Sequence, residues 1–301
     1  MAANMQLTDV VKRLRVDKGD KFRLADHDPA DTGGLDKSDA KAMLGEQVER
    51  LSALQEKLYA HDRWALLVIL QGIDTAGKDG IIEHVMSGIN PQGCQVSSFK
   101  APSARELEHD FLWRHVLELP ERGRIGVFNR SYYEEVLVVR VHPEILARQK
   151  LPLVAKDIWQ QRFEDINAFE RYLARNGTLI LKFFLHISKE EQRDRLLTRL
   201  DDPDKHWKFE LGDLAERKLW DEYMAAYEDM IRQTSRPEAP WHVVPADRKW
   251  LGRVLVAAAM VDALERLDLS IPKLDAEATK QLKVAREQLL AEGPRKGTKR
   301  A

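Results

Sequence analysis

Apolar side chains recur every third or fourth position at Ala40, Leu44, Val48, Leu51, Leu54 and Leu58, which predicts an amphipathic helix beginning near Lys37. The six apolar residues at 65–70 are too continuous for a half-exposed strand and suit a buried strand of a parallel sheet. A glycine-rich turn follows, then helical spacing over 81–89. A short strand at 95–99 leads to a helix over 103–117, with Ser103 as cap and Glu106 at the capping-box position. A buried-type strand at 125–128 ends at Asn129-Arg130-Ser131. Helical spacing over 158–175 is stopped by Asn176-Gly177. Strand at 178–185, helix at 189–200 and a long helical stretch at 214–234 come next; the last carries Trp220, Tyr223, Tyr227 and Ile231 on one stripe. A short strand at 241–244 precedes a helix capped by Asp247, and 274–290 is again helical. Strands alternating with helices predict an α/β fold whose mainly parallel sheet is covered on both faces. Residues 1–36 are polar, contain Pro29, Gly33 and Gly34, show no sustained period, and read as an arm over the surface.

Composition narrows the chemistry. The 301 residues carry 48 Lys+Arg against 49 Asp+Glu, a net charge of −1. A general nucleic-acid or membrane-surface binder would show a basic excess, so neither partner is expected and any polyanion must meet a local basic patch. The single cysteine, Cys94, has no partner within the chain and no neighbours suited to activating it. Apolar stretches such as 65–70 are too short to cross a bilayer, and the first residues lack a signal-peptide core, so a cytoplasmic setting is expected. Residues 268–301 read as a C-terminal helix, at 274–290, followed by a basic tail in which Arg295, Lys296, Lys299 and Arg300 make a solubilising end.

The turn Gly72-Ile-Asp-Thr-Ala-Gly77-Lys78 fits the phosphate-binding pattern G-x-x-x-x-G-K, with Asp79 where Ser or Thr is usual and Gly80 after it. Its place between a buried strand and a helix gives the pattern meaning. Glycines let successive amides, including those of Thr75 and Ala76, turn inward, and the helix start adds positive potential. Lys78 would set an ammonium against phosphate oxygens. Asp74 would repel phosphate unless a Mg²⁺ ion lies between them, since that ion favours one or two carboxylates plus phosphate oxygens. Asp79 reads equally as an indirect metal contact or as a favourable charge in the first helical turn. The second strand end brings Asn129, Arg130 and Glu134 to the same sheet edge, where ligands of open α/β sheets bind. Arg130 offers a planar fork for a phosphoryl group. Tyr132 and Tyr133 read as packing residues. Lys100, before Pro102-Ser103, marks a further anion position; Lys205 and Lys208 lie in a polar run that reads as a lid over phosphates, and Arg193, Arg195 and Arg199 repeat on the helix leading into it.

Through these motifs the chain resembles the P-loop polyphosphate kinases of the second family. The resemblance rests on GIDTAGKDG at 72–80, KAPS at 100–103, FNRSYYEE at 128–135 and DPDKHWKF at 202–209, within a stretch from about Gly19 to Leu267. It implies a thymidylate-kinase-like, three-layer fold with five strands and a helical lid near 189–215. The phosphotransferase domain then covers 37–267. The resemblance also implies a homo-oligomer, Mg²⁺ with Mn²⁺ able to substitute, and phosphoryl transfer from inorganic polyphosphate to AMP or ADP, giving ADP and ATP. Other members read DRSWYNR where this chain has Asn129 to Glu135. Asn129 thus replaces the metal-binding Asp and Glu135 replaces an Arg, departures that resemble the subgroup accepting both AMP and ADP. An ionised phosphate acceptor needs no base to remove a proton, which matches the lack of a Ser–His or Asp–hydroxyl pair. Two competing functions share the P-loop: an ATP-dependent kinase of a small metabolite or nucleoside monophosphate, and a non-catalytic nucleotide-responsive module.

Overall fold

A computed structural model describes residues 2–209 and 212–292, without the side chains of 2–5 and 208. The basic tail from Arg295 to Arg300 and the side chain of Lys208 lie outside the described residues. In chain order the helices are α1 (Ala2–Leu14), α2 (Ala40–His61), α3 (Lys78–Val85), α4 (Trp113–Val116), α5 (Val138–Val141) and α6 (Ile158–Arg175). They continue as α7 (Lys189–Asp201), α8 (Gly212–Lys218), α9 (Trp220–Thr234), α10 (Lys249–Glu265) and α11 (Ala276–Ala291). The strands are β1 (Arg15–Val16), β2 (Ala65–Gln71), β3 (Cys94–Ser98), β4 (Ile125–Asn129), β5 (Thr178–His186) and β6 (Trp241–Pro245).

The sheet runs β1-β6-β5-β2-β4-β3. β2 to β6 are parallel, as continuous apolar runs buried on both faces require. The expected five strands are therefore joined by a sixth, the two-residue β1, which pairs antiparallel with β6 through Arg15 and His242 and through Val16 and Trp241. Its brevity hides it from any alternating pattern. Successive residues of β6 face opposite layers. Trp241 donates its indole N–H to Thr234 Oγ1 of α9 at 2.9 Å, while His242 faces the layer where Asp262 of α10 contributes to its field. The α10 helix packs with α1, α2 and α3, and α6 packs with α9 and β5.

Three local differences from the sequence expectation have physical causes. The N-terminal arm contains α1, whose Leu7, Val10, Val11 and Leu14 are buried against α10 and β6. Their i, i+3, i+4, i+7 spacing is helical but confined to one short polar stretch. The capping box at Ser103 forms, with Ser103 N–H donating to Glu106 at 2.6 Å and Glu106 N–H to Ser103 Oγ at 3.3 Å. It launches only one 3₁₀ turn, because Asp110 accepts from the amides of Leu112 and Trp113 and restarts the chain as α4. Asp247 does not cap α10; its carboxylate accepts from Ser188 N–H at 2.7 Å and joins the end of β6 to the start of α7.

The turns at the amino ends of the strands are closed by hydrogen bonds to one another. Arg122 donates to Arg63 O at 2.7 Å, Gly123 N–H to Trp64 O at 2.8 Å, and Ala65 N–H to Gly177 O at 2.9 Å. Among the described residues no helix is long and apolar enough to cross a membrane.

Candidate active site

The carboxyl ends of β2, β4 and β6 open into a cavity of about 740 Å³. Its walls hold eight Lys or Arg side chains and two carboxylates, Asp74 and Asp79. On a chain of net charge −1, that concentration is the local basic patch a polyanion requires.

The floor is the phosphate loop. A Cβ on Gly72 would come within 3.0 Å of Leu185 O, so the loop leaves β2 against β5 with no room for a side chain. Thr75 has φ +70° and Gly77 φ +107°, two left-handed residues that curl the backbone ahead of α3. For a β-branched residue such as Thr75 this conformation is strained, and its hydroxyl is buried with no hydrogen-bond partner. Lys78 is 8% exposed and donates to Gly72 O at 2.6 Å and Ile73 O at 3.4 Å. Burial, and then the neighbouring Arg130 cation, pulls its pKa down to about 8.

Arg130 has φ +63° and stands between two acids, with Nη2 2.6 Å from Asp74 Oδ1 and Nη1 3.2 Å from Glu134 Oε2. Glu134 and then burial dominate its field, and the net effect raises its pKa. Glu134 does not line the cavity; it acts behind Arg130. Gly72 likewise stays out of the lining and contributes its carbonyl to Lys78. Asn129 donates to Asp79 Oδ1 at 2.7 Å, so the neutral residue in place of an Asp steadies the first turn of α3. Glu135 is held by Gln149 at 2.6 Å, with its pKa raised chiefly by burial.

The structure brings Asp74, Thr75, Ala76, Gly77, Lys78, Asp79, Gly80, Lys100, Asn129, Arg130, Arg199 and Lys205 around one cavity. Arg199 lies 3.7 Å from Asp213 and Lys205 pairs with Asp202. Sequence reasoning missed Lys249 and Arg253, one turn apart on α10, together with Thr198 and Ser98. Lys249 has its pKa lowered by burial and then by Arg195, in a field shared with Arg253 and Lys205. An i, i+4 basic pair at the start of an otherwise apolar helix was the available signal. Tyr132 and Tyr133 are packing residues: both hydroxyls donate to Glu170, at 2.9 and 2.7 Å, beneath the site. Cys94 has its thiol pushed up to about 11 by burial, which makes it a poor nucleophile.

Comparison with known proteins agrees with this architecture. The sequence model described as Polyphosphate kinase 2 matches residues 34–271. A protein named ADP-polyphosphate phosphotransferase from Rhodopseudomonas palustris is 52% identical over 283 residues, covering 93% of this chain and 98% of the relative. One named AMP/ADP-polyphosphate phosphotransferase from Meiothermus ruber is 46% identical over 272 residues, covering 90% and 98%. The crystal structure of Polyphosphate Kinase 2 from Arthrobacter aurescens TC1 superposes with a TM-score of 0.83 at 46% identity, covering 92% of this chain and 96% of that one. A family model spanning most of the chain, long relatives near half identity and a matching solved fold lead to one conclusion: the chain belongs to the polyphosphate kinase 2 family.

Proposed function

We propose that the protein transfers phosphoryl groups from inorganic polyphosphate to AMP and ADP, giving ADP and ATP, reversibly. The observation that carries this reading is the cavity itself, where, among the described residues, eight cations and the phosphate loop face two carboxylates. Its volume of about 740 Å³ accommodates a nucleotide phosphate and a phosphate chain end to end. The names of the two long relatives support ADP as acceptor in one and both AMP and ADP in the other.

In the transfer, a terminal phosphate oxygen of the acceptor forms a bond to the end phosphorus of the chain. The bond from that phosphorus to its bridging oxygen breaks, and the chain leaves one unit shorter with the oxygen and its charge. The acceptor oxygen is already ionised near neutral pH, so no proton has to be removed. Alignment and charge compensation do the work. Lys78, the loop amides and Arg130 bear on the transferring group, while Lys100, Arg199 and Lys205 hold flanking phosphates.

A divalent cation fits the donor set. Among the described residues no cluster of three His, Cys, Asp or Glu could cage a metal. Asp74, one-third exposed beside the loop, and the partnerless Thr75 hydroxyl supply the sparse oxygen set that Mg²⁺ takes when phosphates complete its shell. Mg²⁺, or Mn²⁺ in its place, would be held by Asp74 and would neutralise phosphate charge. The same reading includes a homo-oligomer, supported by α11, which buries no residue and leaves Leu282, Leu289 and Leu290 exposed. A cytoplasmic setting goes with the AMP and ADP substrates.

The test is a coupled assay with purified protein, Mg²⁺, AMP or ADP, and either polyphosphate or ATP as donor. ATP made from ADP only when polyphosphate is present is the expected outcome. Turnover that needs ATP and ignores polyphosphate would replace this reading with an ordinary ATP-dependent kinase.

A further inference from the structure

Arg195 lies on α7, borders the cavity, and is only 6% exposed. A guanidinium carries five N–H donors in a fixed planar fork. Here all five meet protein acceptors. Nε bonds Glu191 Oε1 at 2.7 Å. Nη1 bonds Thr75 O at 2.9 Å and Ala76 O at 3.0 Å. Nη2 bonds Ala246 O at 2.5 Å and Asp247 O at 3.2 Å. No donor is left for a phosphate oxygen.

We infer that Arg195 is a positioning residue that sets the backbone of the phosphate loop and ties it to the lid helix, not a ligand of the phosphate chain. The inference rests on the reading of function given above. In a planar trans peptide the C=O and N–H point in opposite directions. Holding Ala76 O outward therefore turns the Gly77 N–H away from Arg195, while the Ala76 N–H is used within the turn on Ile73 O at 3.1 Å. The tie to Thr75 O sits on the residue whose left-handed φ is strained, which a strong external contact can hold in place. Gln192, from the same helix, adds a bond to Asp74 O at 3.3 Å. The loop is thus held by α7 at three consecutive carbonyls, those of Asp74, Thr75 and Ala76. The remaining two bonds of Arg195 attach this assembly to the end of β6.

A misplaced amide weakens stabilisation of the transferring group more than it weakens binding of a long polyanion, which other cations still hold. The two roles for Arg195 consequently predict different kinetics. The experiment compares wild type, Arg195→Lys and Arg195→Ala in polyphosphate-dependent ATP synthesis, with guanidinium ion added to the alanine variant. For both variants we expect kcat to fall by about tenfold or more and KM for polyphosphate to change less than about threefold. Guanidinium is expected to restore part of the lost kcat in Arg195→Ala. Should that variant fail to fold, the kcat-against-KM split in Arg195→Lys decides. A normal kcat in Arg195→Lys, a loss confined to KM, or no response of the alanine variant to guanidinium each overturns the inference. Wild type without polyphosphate-dependent turnover overturns both this role and the proposed function; an active wild type beside unaltered variants overturns the role of Arg195 alone.

Discussion

Lys78 has two properties that set its pH behaviour. It is buried beside a second cation, and its pKa is lowered to about 8. It carries charge below that pH and loses it above. The value of kcat/KM for polyphosphate should therefore fall as pH rises through about 8, while Lys78→Ala, slower by about a hundredfold, should show no such limb. Stability moves the other way. The unfolded lysine keeps its proton to higher pH than the folded one, so between about 8 and 10.5 unfolding takes up protons and the folded state gains. A pH–rate profile beside urea midpoints at the same pH values checks both signs; a flat profile for wild type would remove Lys78 from the site. The placement of Lys78 in the cavity was legible from one short motif in its strand–helix context. The placements of Arg195 and Lys249 were harder to read, because they lie on helices more than a hundred residues downstream and their helical spacing does not say which strand end they face.

At the scale of elements, the sheet is anchored by a charge that has no part in the chemistry. Lys182, wholly buried on β5, donates to Glu170 of α6 at 2.6 Å, Tyr133 OH at 2.8 Å and Thr234 O of α9 at 2.8 Å. Every donor of the ammonium is used, so the pair is satisfied; burial still lowers the lysine pKa. Removing one partner leaves the other buried without its counter-charge, hydrogen-bonded only to neutral groups, at a cost of about 3–5 kcal/mol. Lys182→Met and Glu170→Gln should each lower the unfolding free energy measured by urea titration by that amount, and a loss under about 1 kcal/mol would mean that the network contributes little to folding. Most elements were readable from period alone, since buried parallel strands and long amphipathic helices announce themselves. The breaks were not. Residues 103–117 have the spacing of one helix, yet Asp110 captures two amides and divides it. The stretch 214–234 also divides, at Leu219 between α8 and α9, with no side-chain cap there. A periodic pattern averages over such local breaks.

Over the whole molecule, near-neutral net charge coexists with a cleft holding eight cations and two carboxylates. Attraction for a polyanion is therefore short-ranged and arises at the mouth of the cleft. Salt should screen it where the cations are partly exposed. Raising ionic strength from about 50 to 200 mM is expected to increase KM for polyphosphate more steeply than KM for ADP, because the longer chain engages more of these cations. Equal slopes in initial-rate measurements would place the chain outside the cleft.

Because β2 to β6 are parallel, the candidate active site gathers at one pole of the sheet, and the opposite pole carries the turns that lead into the strands. There Gly123 and Gly177 fold tightly against Arg63, Trp64 and Arg122, while the Glu121 side chain stands 74% exposed. That pole is a natural handle: a dye or a bead attached through Glu121→Cys would leave the cleft pointing freely into solution, and the immobilised enzyme should keep its rate.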